Sequence, residues 1–311
     1  MTLTIIIPCY NEQEMLPLFY QELQNMIYSI SDVNFELLFV DDGSIDNTKE
    51  VIRSLSNKDE NCKYIFLSRN FGKEAAIWAG LQHASGDYVV IMDADLQDPP
   101  SLLPQMLHAV VEEGYDSAAT RRVTRHGEPA IRSWFARNFY RLMHKISKTE
   151  LMDGARDYRL MNRKFVNALL SMEEYNRFTK GLYGWVGFKT KWFEYENIKR
   201  AKGETKWSFW KLFFYAIDGI VAFSTLPLTI AAIIGTLCCI LAFIATGFIV
   251  IRKLIFDDPI QGWASTVSII LFIGGIQLLC TGILGQYLAK TYLESKKRPI
   301  YIIESTNIQY I

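Results

Sequence analysis

The chain has 311 residues, half of them hydrophobic, and its 33 basic and 33 acidic side chains leave a formal net charge of zero. That balance gives no sign of nucleic acid as a partner. Four scattered histidines and five cysteines (Cys9, Cys62, Cys238, Cys239, Cys280) in no Cys-x-x-Cys or Cys/His set give neither a zinc site nor a disulfide framework, and the cysteines read as small apolar residues of a reducing compartment.

In chain order, Thr4-Ile5-Ile6-Ile7 is a short apolar run broken at Pro8 and followed by Tyr10-Asn11-Glu12. Apolar spacing then predicts a helix from Met15 to Ile27. Phe35 to Val40 is a second strand ending in Asp41-Asp42-Gly43-Ser44, and a helix capped by Asp46 or Asn47 runs on to Leu55. Tyr64 to Leu67 leads through Ser68-Arg69-Asn70-Phe71-Gly72 into a helix over Lys73 to His83. Tyr88 to Met92 is a fourth strand, closed by Asp93-Ala94-Asp95-Leu96-Gln97-Asp98-Pro99-Pro100. Strands alternating with helices predict an α/β fold with a mostly parallel sheet covered on both faces. Each strand ends in polar residues, so the tips form one polar rim where open α/β sheets gather ligands.

Within that rim, Asp93 and Asp95 are separated by one residue. On an extended backbone alternate side chains share a face, so the two carboxylates can converge on one hard cation, magnesium or manganese rather than zinc. Such ions complete their shell with water and phosphate oxygens, which points to a nucleotide diphosphate. The other nucleotide folds are excluded by motif. No Gly-x-Gly-x-x-Gly follows the first strand and no Gly-x-x-x-x-Gly-Lys-Ser/Thr occurs, so metal and basic side chains must hold the diphosphate.

Further on, Asp116 to Thr120 reads as a strand followed by Arg121 and Arg122, with Arg125 and Arg132 beyond; Asp157 reads as the cap of a helix from Tyr158 to Leu170. Thr229–Ile251 and Trp263–Ala289 are uncharged runs long enough to cross a bilayer. Lys199, Arg200, Lys202, Lys206 and Lys211 before the first, and Lys290, Lys296, Lys297 and Arg298 after the second, predict cytoplasmic termini on both sides of the pair. No secretory signal precedes the first strand, in keeping with a catalytic part that stays in the cytoplasm. Trp207 to Phe223 reads as an interfacial amphipathic helix. The expected organisation is a catalytic domain over 1–206, the interfacial helix over 207–226, and a membrane part over 227–311 with two spans (about 229–251 and 263–289) and a short cytoplasmic tail.

Pro8-Cys9-Tyr10-Asn11-Glu12, Val40-Asp41-Asp42-Gly43-Ser44 and Met92-Asp93-Ala94-Asp95-Leu96-Gln97 together resemble the signature blocks of family 2 glycosyltransferases with the GT-A fold. With Arg200-Ala201-Lys202-Gly203-Glu204-Thr205-Lys206 and the two terminal spans, the chain resembles the polyprenyl-phosphate glycosyltransferases, the group of dolichyl-phosphate mannose synthase and the bacterial bactoprenol glucosyltransferases. The resemblance implies a Rossmann-like catalytic domain and an inverting, Mg2+- or Mn2+-dependent transfer of a hexose from a nucleotide diphosphate to polyprenyl phosphate. UDP-glucose is favoured as donor, with N-acetylglucosamine and mannose open. It implies Pro8, Tyr10, Glu12 and Asp42 around the nucleotide, with Asp41 bracing the turn, and Lys202 and Lys206 on the leaving diphosphate. It also implies Arg121, Arg132 and Gln97 near the acceptor phosphate, Asp93 and Asp95 on the metal, and Asp157 at the position often assigned to a base, with Asp153 nearby.

Chemistry qualifies that last role. A phosphate monoester has a second pKa of about 6, so the lipid phosphate is already a nucleophile at neutral pH. Asp157 is then expected to orient the acceptor or an arginine such as Arg159, or to take a last proton. The product would be a lipid-linked sugar at the cytoplasmic face of a bacterial inner membrane, passed to a separate flippase and a downstream transferase, and homo-oligomers fit the group. Two other classes would carry different residues. A processive polysaccharide synthase would carry a Gln-x-x-Arg-Trp segment, and the chain has no Arg-Trp pair. An inactive membrane scaffold would have no need of intact Asp93, Asp95 and Asp157.

Overall fold

The computed structural model describes residues 1–123, 152, 154–196, 217, 219–256 and 262–309. The chain divides into two units, one of Met1–Ala216 with Arg298–Ile311 and one of Ile217–Lys297.

The first unit is an α/β layer structure around one sheet. Its elements are β1 (Thr2–Cys9), α1 (Leu16–Ile27), β2 (Asn34–Asp41), α2 (Thr48–Lys58), β3 (Cys62–Leu67), α3 (Lys73–His83), β4 (Tyr88–Ile91), α4 (Leu103–Val111), β5 (Ser117–Arg122), β6 (Ala155–Asn162), α5 (Arg163–Leu170), α6 (Thr179–Trp185), β7 (Thr190–Tyr195) and the C-terminal β8 (Ile303–Thr306). The sheet order is β7-β5-β6-β4-β1-β2-β3-β8. Strands β4, β1, β2 and β3 run parallel, β7 runs parallel to β5, and β6 and β8 run antiparallel to their neighbours.

The central strands are apolar on both faces because helices cover both. Consecutive Ile5, Ile6 and Ile7 in β1, and Leu37 to Val40 in β2, are all buried. Helix α1 turns one stripe to this core, with Leu16, Phe19, Leu23 and Met26 buried at helical spacing, and Pro17 starts it where no N–H is needed. Burying each such side chain contributes about 1.5–3 kcal/mol. In α3 the run Ala75 to Leu81 is buried, so its small residues lie close to the sheet. The expected helices from Met15, Asp46/Asn47 and Lys73 are all present, starting at Leu16, Thr48 and Lys73. The cap of α2 comes from Asp46, whose Oδ1 accepts from the Thr48 N–H at 3.0 Å.

Two expectations are corrected. Residues 155–162 form strand β6 rather than the start of a helix, so Asp157 caps nothing; α5 begins at Arg163 and its cap is Asn162, which accepts from the Phe165 N–H at 2.8 Å. Tyr158, Leu160 and Met161 sit buried in the sheet, and that pairing with β4 and β5 overrides local helix preference. The residues after the second apolar helix are more than a short tail. Ile303–Thr306 forms β8 on the outer edge of β3, and Asn307 ties it down, accepting from the Tyr64 N–H at 2.7 Å and donating to Ser56 Oγ at 2.7 Å. An uncovered β3 edge would leave a row of unpaired backbone groups, and β8 satisfies them.

The second unit holds two helices long and apolar enough to cross a membrane, α7 (Leu226–Phe256) and α8 (Trp263–Ser295). The most apolar 18-residue stretch has a mean hydropathy of 2.6 within Leu226–Ile249 and of 2.3 within Thr266–Ser295. The Tyr287 hydroxyl of α8 donates to the carbonyl of Ser224, two residues before α7, at 2.6 Å. Large apolar side chains such as Phe243 (81 % exposed) and Leu278 (75 %) lie uncovered, as an apolar solvent would require. Of the expected interfacial helix over 207–226, residues 217 and 219–223 are helical, 224 and 225 are not, and 226 opens α7; the remainder lies outside the described residues.

Candidate active site

The site is built where β1, β2, β3, β4 and β6 bring their polar ends to one rim. At the tip of β1, Asn11 takes a positive φ of 54° and bridges to the next tip, its N–H donating to Ser44 Oγ and its Oδ1 accepting from the Ile45 N–H, each at 2.9 Å. The Glu12 N–H donates to Thr48 Oγ1 at 2.9 Å. Pro8, Tyr10 and Glu12 therefore stand half-buried at a tip that is locked to the β2 turn. In that turn Asp41 Oδ2 accepts from the Ser44 N–H at 3.0 Å, the bracing role expected of it, and its Oδ1 is buried without a partner. Gly43 is required here. Its φ is +67°, and a Cβ would lie 2.3 Å from the carbonyl carbon of Arg69.

Asp42 does something the sequence reading did not foresee. It is buried, and its two oxygens accept the N–H groups of Phe71 (2.7 Å) and Gly72 (2.9 Å). Burial pushes its carboxyl up to about 6, although the two N–H groups pull the other way. Asp42 thus clamps the β3–α3 loop, and that loop delivers Lys73 as the first residue of α3. Gly72, with φ +101°, makes the turn into the helix.

Lys73 is the centre of the rim. Its Nζ lies 2.7 Å from Asp93 Oδ1 and 2.5 Å from Asp157 Oδ2. The sheet register explains this convergence. Ile91 of β4 pairs with Arg159 of antiparallel β6, and two more residues along each chain set Asp93 opposite Asp157. Burial opposes ionisation of Asp157, but the Lys73 ammonium, helped by Lys180, outweighs it and holds this carboxyl below the usual carboxylate range. Burial and then the Asp157 charge push Asp93 the other way, against the pull of Lys73. Lys73 itself is held protonated: burial opposes the charge and the two carboxylates more than compensate.

A second layer supports this centre. Arg156 Nε donates to buried Asp98 Oδ1 at 2.9 Å, while its Nη2 stands 4.0 Å from Asp93 Oδ2. The Tyr195 hydroxyl also donates to Asp98. Glu74, next to Lys73, accepts from the Thr179 N–H at 3.1 Å and so ties α3 to α6. Lys73, Arg156, Asp98 and Tyr195 were missed as functional residues. The signal for Lys73 was in the chain: a lysine directly after the glycine that closes the β3–α3 loop and opens the helix.

The Asp93/Asp95 geometry differs from the expected one. β4 ends at Ile91, Ala94 and Asp95 lie in a turn, and Leu96 has φ 55°, so the backbone between the two aspartates is not extended and they do not share a strand face. Asp95 Oδ1 instead accepts from the Gln97 N–H at 3.1 Å, and the Gln97 side chain accepts from Arg122 Nη2 at 3.1 Å. It is Asp157 that meets Asp93. Among the described residues no three His, Cys, Asp or Glu side chains form a metal-binding group. Two carboxylates converging on one cation nevertheless form an all-oxygen donor set of the kind that, with water and phosphate oxygens, suits Mg2+ or Mn2+.

The basic residues sort by face. Arg121 and Arg122 lie within β5 rather than after it and so point to opposite faces. Arg122 reaches Gln97, whereas Arg121 donates through Nε to Glu194 at 3.0 Å. Arg159 is not oriented by Asp157. It is buried, donates to Ser117 Oγ at 3.0 Å, and its guanidinium lies 4.3 Å from the Tyr183 ring centre. It forms one wall of a cavity of about 270 Å3 that also includes Lys180, Tyr183, Phe188 and Trp192. Arg132, Asp153, Lys202 and Lys206 lie outside the described residues.

A mixed, mostly parallel sheet with carboxylates gathered at its strand tips, and no glycine-rich phosphate loop, defines a glycosyltransferase of the GT-A type. The chain belongs to glycosyltransferase family 2: the family model "Glycosyl transferase family 2" matches residues 4–170. It is 41% identical to CsbB of Bacillus subtilis (strain 168), named as a glycosyltransferase, over 98% of this chain and 92% of that one. It is 38% identical to a prophage bactoprenol glucosyl transferase homolog of Escherichia coli (strain K12), over 98% of this chain and 99% of the relative. The bactoprenol glucosyl transferase of Shigella phage SfV is 37% identical over the same shares, 98% and 99%. Among solved structures, mannosyl-3-phosphoglycerate synthase from Rubrobacter xylanophilus aligns with a TM-score of 0.49 at 18% identity, over 71% of this chain and 72% of that one.

Proposed function

We propose that this glycosyltransferase transfers a hexose, glucose from UDP-glucose in the favoured case, to the phosphate of a polyprenol such as undecaprenyl phosphate, with inversion at the sugar carbon. The observation that carries the reading is the extent of the likeness: 98% of this chain and 99% of the bactoprenol glucosyl transferase of Shigella phage SfV align, a span that takes in the strand-tip carboxylates and both apolar helices. A lipid acceptor gives those helices a use that a soluble acceptor would not.

The residues divide the work as follows. Pro8, Tyr10 and Glu12 flank the nucleotide, with Asp41 Oδ1, buried and without a partner, beside them at the next tip. Asp42 holds the loop that presents Lys73. Asp93, with Asp157 and the neighbouring Asp95, holds Mg2+ or Mn2+, which when bound supplies positive charge against the departing diphosphate. Lys202 and Lys206 add charge there. Gln97 and Arg122, with Arg121 and Arg132, serve the acceptor phosphate, for which arginine's planar fork is suited. Asp157, held ionised, acts on the incoming phosphate through the Lys73 ammonium that it positions, rather than by abstracting a proton.

Topology supports a cytoplasmic site. The segments before α7 and after α8 both belong to the catalytic unit, so a chain that crosses the membrane at α7 must cross back at α8. The basic residues on both flanks put that shared side in the cytoplasm, where nucleotide sugars are made. In bacteria this is the inner membrane. A separate flippase and a later transferase would take the product onward, and self-association is compatible with the arrangement.

The donor is tested by offering the purified full-length protein, in detergent with undecaprenyl phosphate and Mn2+, equal concentrations of UDP-glucose, UDP-N-acetylglucosamine and GDP-mannose, and identifying the lipid product by mass. A hexosyl phospholipid formed from UDP-glucose is expected. A product drawn from either other donor alone would replace glucose in this reading.

A further inference from the structure

Lys73 occupies an unusual place. It is the first residue of α3, it is fixed by the Asp42 clamp on the two preceding N–H groups, and its ammonium touches both carboxylates that the sheet register brings face to face. With the chain alone, Asp93 and Asp157 would repel one another across a few ångströms. Of the other cations described, the Arg156 guanidinium is 4.0 Å from Asp93 and is committed to Asp98, and Lys180 favours the ionised form of Asp157. Lys73 is therefore the charge that lets the two carboxylates converge.

We propose that Lys73 is an internal counter-cation of the active site: it holds Asp93 and Asp157 together before the divalent ion binds, and it competes with that ion for the same carboxylate oxygens. The inference rests on the reading of Asp93 and Asp157 as the metal-holding carboxylates. It goes further in making metal affinity a property of a lysine outside the metal's own donor set. The geometry limits the alternatives. An ammonium at 2.5–2.8 Å from one oxygen of Asp157 and both oxygens of Asp93 fills the space a second cation would need. Binding of an ion must move Nζ off at least one carboxylate. The ammonium is then free to turn toward a phosphate oxygen of the donor, so that one charge serves both states. The site is preassembled in this way without being left as a bare pair of negative charges.

The test is made on the full-length protein in detergent, with no sugar nucleotide and no lipid, so that its failure is distinguishable from a failure of the transferase reading. Mn2+ is titrated and free ion followed by electron paramagnetic resonance. The Lys73→Met variant removes the competing charge and keeps the stem, and it should bind Mn2+ about tenfold more tightly than the unmodified protein, as expected when two carboxylates lose a cation that competes for their oxygens. Lys73→Arg, which keeps the charge, should bind like the unmodified protein. Melting in EDTA provides the second readout: Lys73→Met should melt lower than the unmodified protein, and Mn2+ should raise its melting temperature by more. Equal or weaker Mn2+ binding by Lys73→Met, or no Mn2+ binding by either protein, would overturn the proposal, as would a metal-induced melting shift that is unchanged.

Discussion

At the residue scale, charge at the strand tips decides the chemistry. In the proposed reading Asp93 holds the metal that stabilises the leaving diphosphate, so Asp93→Asn should lower kcat by about a hundredfold to a thousandfold, the usual loss when one electrostatic stabiliser of a transition state is removed. Asp157 behaves differently. Lys73 and Lys180 overcome the effect of burial and hold it ionised across the working range, so it contributes no titration of its own near neutrality. An inflection of kcat/KM near pH 6 is expected from the acceptor phosphate, whose second pKa is about 6, and from Asp42, whose carboxyl is pushed up to about 6, but not from Asp157. Asp157→Asn should lower the rate and leave that inflection in place; its disappearance in the variant would restore a base role to Asp157. Asp42 gives a stability signature. Its carboxyl rises from 3.8 to about 6 in the fold, so the native state binds a proton there that the unfolded chain does not. By linkage this group's contribution to stability is greatest below 3.8 and is lost as the pH rises through about 6, opposite to an ion-paired aspartate. Asp42→Asn should flatten the melting temperature against pH over that window, and an unchanged slope would contradict the assignment. The sequence displayed Asp42, Asp93 and Asp157 because each ends or begins an apolar run. It could not show which of them meet: the partner of Asp93 is Asp157, sixty-four positions on, brought there by an antiparallel register that no local pattern encodes.

At the element scale, the parallel half of the sheet was legible because each βα unit is local. An apolar run ends, a cap or glycine follows, and a helix with one buried stripe begins. Elements that depend on distant strands were not legible. β6 reads as a helix start in isolation and becomes a strand only because β4 and β5 offer it pairing partners on both sides. β8 is a short strand from the far end of the chain, and its place depends on the exposed edge of β3 rather than on its own composition. Asn307 is the anchor of that edge, with bonds to Tyr64 N–H, Ser56 Oγ and the Cys62 carbonyl at 2.7, 2.7 and 3.2 Å. Asn307→Ala should cost about 1–3 kcal/mol because it leaves edge groups without partners. Guanidinium unfolding followed by tryptophan fluorescence measures it, and a loss below a few tenths would show that β8 does not hold the edge.

At the scale of the whole molecule, the chain joins a soluble sugar-nucleotide fold to two apolar helices, and leaves from and returns to the same catalytic unit. Such a chain has its donor in water and its acceptor in lipid, and the carboxylate rim must serve both. The central claim is that a hexose passes from a nucleotide diphosphate to a polyprenyl phosphate at the Asp93–Asp157 rim. The direct measurement is to incubate the purified full-length protein with radiolabelled UDP-glucose, undecaprenyl phosphate and Mn2+ and to follow label into the organic phase. Label should enter that phase only when lipid phosphate and metal are both present, and Asp93→Asn should all but abolish it. Label that stays in water with every donor offered, or that transfers equally well in EDTA or with Asp93→Asn, would contradict the account.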